Sequence, residues 1–175
     1  MAIAQLPSKE DGVLSERVLS LVTAHRGEVA VAIEHLGTGD SFRLRAGVAL
    51  PTASLIKLPL MVAAYHAAEH GALDLEKPIV LLEEDKVPGS GILTDHFSAG
   101  AILPLRDYLR LMIRDSDNTA TSLVIDQVGL NATTRRMESL GLPNTKLHSK
   151  VYRGDSSIDV QRSKQFGIGT IRHQI

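Results

Sequence analysis

Two short clusters in this chain combine residue types that could do nucleophilic chemistry. The first is Ser54-Leu55-Ile56-Lys57. On a helix, residues three apart share a face, with Cβ atoms roughly 5–6 Å apart, so the spacing would set an amine beside a hydroxyl. A serine hydroxyl is a weak nucleophile at neutral pH and needs an adjacent base. A lysine serves when desolvation or a neighbouring cation lowers its pKa. Leu55, Ile56, Leu58 and Leu60 supply apolar surroundings of that kind. A helix start at Ser54 would also present its backbone N–H to a developing oxyanion. The plain alternative is a helix cap at Ser54 and a solvated first-turn lysine. The second cluster is Ser116-Asp117-Asn118, roughly sixty residues on. Hydroxyl, carboxylate and amide in a row could relay a proton and hold a substrate amide, and they are also ordinary capping residues.

A third pattern, His66-Ala67-Ala68-Glu69-His70, has two imidazoles and a carboxylate at helical spacing. It fits the H-x-x-E-H signature of a group of zinc hydrolases. A catalytic zinc needs a third protein ligand, and the sequence nominates none. The simpler reading is a polar stripe ending an apolar helix, and no metal or other cofactor is expected. His96 and His148 read as surface or loop groups.

These clusters need elements to position them. Residues 14–25 carry Val18, Leu19, Leu21 and Val22 at helical spacing, with Ser15 as a cap and Gly27 as a stop. Val29, Val31 and Ile33 alternate, then Gly37-Thr38-Gly39-Asp40, then Phe42 and Leu44 alternate with Arg43 and Arg45, which is the pattern of a β-hairpin over 28–47. Residues 54–70 are rich in helix formers and end at Gly71; Pro59 predicts an irregular start or a kink. Residues 72–100 read as irregular, with Val87-Pro88-Gly89-Ser90-Gly91 a loop. Leu105, Leu109, Met112 and Ile113 mark one face of the next helix. Another helix begins at Asn118 or Thr119 and closes at Gly129, and a last one is capped by Asn131 and closes at Gly141. Residues 142–170 read as loop. A lone hairpin is marginal in water, so it either packs on helices alone or its sheet partners are not in this chain. Its open edge offers a route to self-association.

The bulk numbers bound the class. The chain has 175 residues, 43% hydrophobic and 22% charged, the profile of a globular domain rather than a disordered chain. A net charge of −1 and no basic stripe argue against a nucleic-acid partner. The absence of cysteine removes disulfides, thiolate metal sites and a cysteine nucleophile. No 18-residue apolar run suggests a membrane span. The N-terminus lacks a basic region followed by an apolar run, so a cytoplasmic location is expected, or a periplasmic or secreted one had the N-terminus been trimmed.

Ser54-x-x-Lys57 followed by Ser116-Asp117-Asn118 resembles the first two motifs of class A β-lactamases and penicillin-binding proteins. The stretch 105–142 resembles that family's all-helical subdomain, and Pro88–Leu93 resembles the loop edging its active site. The similarity covers roughly Leu14 to Thr170. It implies an α+β fold of the β-lactamase/transpeptidase type in one incomplete domain: a helix and hairpin over 14–50, a helical subdomain over 51–150, and a loop and truncated end over 151–175. It implies a small β-lactam or acyl-D-Ala-D-Ala substrate. By the same resemblance Ser54 is the acylated nucleophile, Lys57 its proton acceptor or relay, and Ser116 the donor to the departing nitrogen. Asn118 and Ser90 would bind substrate, and Asp117 would brace the turn.

Two departures from the family pattern limit that expectation. No Lys-Thr-Gly or Lys-Ser-Gly follows; Lys146, Lys150 and Lys164 precede Leu, Val and Gln. That motif lies on a late strand in the family, and a C-terminally truncated chain with negligible hydrolysis is expected. The region 145–169 also lacks the glutamate that class A enzymes use for deacylation, offering only Asp155 and Asp159. This shifts weight toward a D-alanyl-D-alanine peptidase-like or penicillin-binding reading, with the β-lactamase-like hydrolase kept first.

Overall fold

The computed structural model describes residues 9–10, 12–48, 50–151 and 170–171. They form an α+β fold that divides into two compact units, one holding residues 9–10 and 12–48 and the other residues 50–151 and 170–171.

In the first unit, helix α1 (Gly12–Ala24) is followed by strands β2 (Val31–Glu34) and β3 (Asp40–Leu44). They form the expected antiparallel hairpin, with Val31 opposite Leu44 and Glu34 opposite Ser41. The hairpin is not alone. A short strand β1 (Lys9–Glu10) runs parallel to β3, giving the order β1-β3-β2. A two-residue strand is too short to show alternation, which is why no pattern betrayed it. Phe42 and Ser41 are buried on β3, whereas Leu19 and Leu21 of α1 are exposed.

The second unit holds every residue of the two serine-containing clusters. Strand β4 (Leu50–Pro51) pairs antiparallel with β7 (Thr170–Ile171) and leads into a 3₁₀ turn (Ala53–Ile56). Helix α2 (Lys57–Glu69) continues from it. Pro59 is therefore the third residue of α2, where a missing N–H costs no helical bond, and the irregular start expected from it is the 3₁₀ turn. The stretch read as irregular contains β5 (Pro78–Val80), a second 3₁₀ turn at Glu83–Asp85 and the short helix α3 (Leu93–His96). Strand β5 pairs with β6 (Ile102–Pro104). Prolines face each other at one end of this ladder, and with three residues to a strand no periodicity betrays it.

Helices α4 (Leu105–Arg114), α5 (Asn118–Val128) and α6 (Leu130–Ser139) complete the unit. The buried face of α4 is Leu105, Tyr108, Leu109 and Met112; Ile113, expected on that face, is exposed, and Tyr108 is buried in its stead. Helix α6 is capped by Gly129 rather than Asn131. One glycine at φ 88° serves both as the end of α5 and the start of α6, a conformation that side chains resist. The core is continuous from Ile56, Leu60 and Ala64 of the α2 region through Leu81, Leu93 and the α4 face to Ala120, Leu123 and Val124. Burying such side chains contributes on the order of 1.5–3 kcal/mol each, so the α2–α4–α5 junction is the rigid part of this unit. Among the described residues no helix is long and apolar enough to cross a membrane.

Candidate active site

Ser54 lies in the second position of the 3₁₀ turn and is exposed, while Lys57, one turn on, is 3% exposed. The preceding Ala53 sits at φ 45°, a left-handed conformation that costs an alanine of order 1 kcal/mol and persists only when the surroundings hold it. Ser54 falls among the first N–H groups of the turn, which have no partner inside a helix.

The link between α4 and α5 brings the second cluster to the first. Ser116 also has positive φ, at 52°. Its hydroxyl donates to Ser54 Oγ at 2.8 Å. Lys57 Nζ lies 3.3 Å from Ser54 Oγ, 2.9 Å from Ser116 Oγ, 2.6 Å from the Ser116 carbonyl and 3.0 Å from Asn118 Oδ1. An ammonium has three protons for these four oxygens. A neutral amine would donate to the carbonyl and amide oxygens, which can only accept, and turn its lone pair to a serine hydroxyl. Burial pushes the Lys57 pKa down, and the charge of Asp117 opposes that in part. The environment therefore moves lysine toward the form that can accept a proton.

Asp117, 1% exposed, holds this arrangement from behind. Its Oδ1 accepts from Ala120 N at 2.8 Å, capping α5. Its Oδ2 accepts from Ile92 N at 2.7 Å and Leu93 N at 2.9 Å, tying down the loop before α3. That loop must come very close. A Cβ on Gly91 would fall 2.6 Å from the Asp117 Cα and nearer still to its carboxylate, and Gly91 sits at φ 123°. Asn118 closes the same seam: its N–H donates to the Ser90 carbonyl at 2.9 Å and its Nδ2 to the Pro88 carbonyl at 3.2 Å. Thr119 Oγ1 accepts from Val87 N at 2.9 Å, and Thr94 Oγ1 donates to the Val87 carbonyl at 2.7 Å.

The structure thus brings Ser54, Lys57, Ser116 and Asn118 into one hydrogen-bonded cluster. The main chain of Ser90 joins it through Asn118, and the Ser90 side chain is exposed beside it. The parts of Gly91, Thr94 and Thr119 in the site were not expected from the sequence, although a glycine at each end of Gly89-Ser90-Gly91 signals unusual backbone. Asp155 and Asp159 lie outside the described residues. Among the described residues, no third histidine, cysteine or carboxylate joins His66 and His70 in a metal-capable group.

An α+β fold with a buried lysine between two serine hydroxyls defines the serine β-lactamase and transpeptidase class, and comparison with known proteins agrees. The model of the β-lactamase enzyme family matches residues 13–167. The chain is 37% identical to a β-lactamase from Sphaerobacter thermophilus of known structure, with a TM-score of 0.77 over 85% of this chain and 56% of that one. An ancestral class A β-lactamase is similar in fold at 24% identity, with a TM-score of 0.77 over 91% of this chain and 59% of the other. The structure of PBP-A is likewise similar in fold at 22% identity, with a TM-score of 0.78 over 97% of this chain and 60% of its own. A comparison with curated proteins finds no match. The chain belongs to the β-lactamase enzyme family, and it spans between 56% and 60% of the length of these solved relatives.

Proposed function

We propose that this chain carries the acylation half of a serine hydrolase that opens β-lactam rings or a related acyl-D-Ala-D-Ala amide. The observation that carries the reading is Lys57 Nζ, buried and within hydrogen-bonding distance of both Ser54 Oγ and Ser116 Oγ. In the attack, Ser54 Oγ bonds to the substrate carbonyl carbon. Its proton passes to neutral Lys57, directly or through Ser116. The carbonyl oxygen takes the electron pair beside the Ser54 N–H, a placement that favours a developing anion. When the intermediate collapses, the C–N bond breaks and Ser116 Oγ gives the nitrogen a proton, which Lys57 replaces. Asn118 holds Lys57 through Oδ1, and one Nδ2 proton beyond that given to Pro88 remains for a substrate carbonyl. Ser90, on the loop rim, contacts the substrate's side chain.

A second reading, penicillin binding without efficient turnover, is favoured by one feature of the sequence. Residues 142–170 contain no glutamate to activate water for deacylation. The experiment that separates the two follows nitrocefin hydrolysis and fluorescent-penicillin labelling on the same preparation. Hydrolase action gives steady turnover that Ser54→Ala abolishes. Penicillin binding gives a stable label on Ser54 with negligible turnover. A preparation that neither turns over nor labels would overturn both.

A further inference from the structure

We propose that the C-terminal turn of α2 is a two-histidine chelating site for a divalent transition metal of the copper, nickel or zinc kind, separate from the Ser54 centre. At 1.5 Å per residue, His70 lies roughly 20 Å along the helix from Lys57, so the two sites do not share groups.

His66 and His70 are one helical turn apart, and their rings stack with centroids 4.2 Å apart and an interplanar angle of 29°. The two imidazoles therefore already lie side by side. His70 Nδ1 lies 2.8 Å from the His66 carbonyl oxygen. A carbonyl only accepts, so Nδ1 carries the proton and the Nε2 lone pair is left for a ligand. This backbone bond to the far nitrogen is the usual companion of a metal-binding histidine, fixing its tautomer and ring orientation.

The local charges tolerate a cation. Arg136 on the facing helix α6 opposes it, while the exposed Glu69 carboxylate and the negative end of the α2 dipole favour it. Two histidines four residues apart on one helix face can share one ion, with zinc–imidazole bonds of roughly 2.0–2.1 Å. Water fills the remaining positions. With two imidazoles and no third ligating side chain among the described residues, the site follows the ordinary preference of imidazole donors, copper above nickel and zinc.

The test is calorimetric titration of Ni²⁺ into the full chain, free of any affinity tag and stripped with chelator. The expected result is one tight Ni²⁺ per chain. His66→Ala and His70→Gln should each weaken it by more than about tenfold, since even losing an outer partner of a ligand costs that much. His35→Ala, remote in sequence and in the first unit, should leave it unchanged. Circular dichroism of the metal-free variants checks that they fold; His70 is exposed, so His70→Gln keeps the test valid if His66→Ala does not fold. Equal Ni²⁺ affinity in wild type and His70→Gln, or no stoichiometric binding, overturns the proposal.

Discussion

Replacing Asp117 with asparagine tests how the site is built. The carboxylate is 1% exposed and accepts three backbone N–H bonds, one from Ala120 and two from the Ile92–Leu93 loop. An amide can present its oxygen to the loop pair or to the helix, not to both. If it keeps the loop pair, its NH₂ faces the Ala120 N–H, so the cap is lost and a buried donor is left unsatisfied, at about 1–3 kcal/mol. The two remaining bonds fall from charge-assisted to neutral, about 1 kcal/mol each. The sum is about 3–5 kcal/mol. With a urea slope near 2 kcal/mol/M, the unfolding midpoint should drop by about 2 M. The same change removes the charge that raises the Lys57 pKa. The pKa should fall further, and penicillin labelling of Ser54 should rise at lower pH than in wild type. An unchanged urea midpoint would refute the bracing role, and a labelling profile displaced to higher pH would refute the electrostatic one.

Other consequences are as direct. Gly91→Ala should cost more than about 2 kcal/mol and slow labelling, because its Cβ meets Asp117 and φ is 123°; Gly47→Ala, with nothing within 4 Å, should stay within about 0.5 kcal/mol in the same urea melt. Lys57→Arg should label Ser54 at least about a hundredfold more slowly in a gel-based time course, since a guanidinium keeps its charge and gives no proton acceptor. Tyr108, fully buried, has its phenol pushed up to about 12 chiefly by burial, then by Asp85 and Asp117. Below pH 10 it costs nothing; between about pH 10 and 12 the unfolded chain ionises first, so stability should fall by about 2–3 kcal/mol across that window. Tyr108→Phe should remove that part of the fall, measured by urea melts from pH 9 to 12.

The site was more legible in the sequence than the frame around it. Ser54, Lys57, Ser116 and Asn118 meet because a three-residue spacing on one turn and a rare triplet both survive as text. Helices α4 and α5 were visible through Leu105, Leu109 and Met112 and through the capping run at 116–119, since a 3.6-residue period repeats within each. The strands β1, β5 and β6 were not, being two or three residues long with no period to read. Asn131 looked like a cap because its type favours one, but the chain turns at Gly129 before reaching it. The close approach of Gly91 to Asp117 is a contact between residues far apart in sequence, so no local pattern could show it. The left-handed backbone of Ala53 and Ser116 has no sequence signature at all, as neither residue type prefers it.

The central claim is that the buried lysine makes Ser54, and no other hydroxyl, the acyl acceptor. Peptide mapping by mass spectrometry after exposure to benzylpenicillin tests it most directly. The account predicts one penicilloyl group per chain, on the peptide carrying Ser54, absent from Ser54→Ala and nearly absent from Lys57→Ala. A label on Ser116 or another residue in wild type, or one that persists in Ser54→Ala, would contradict it.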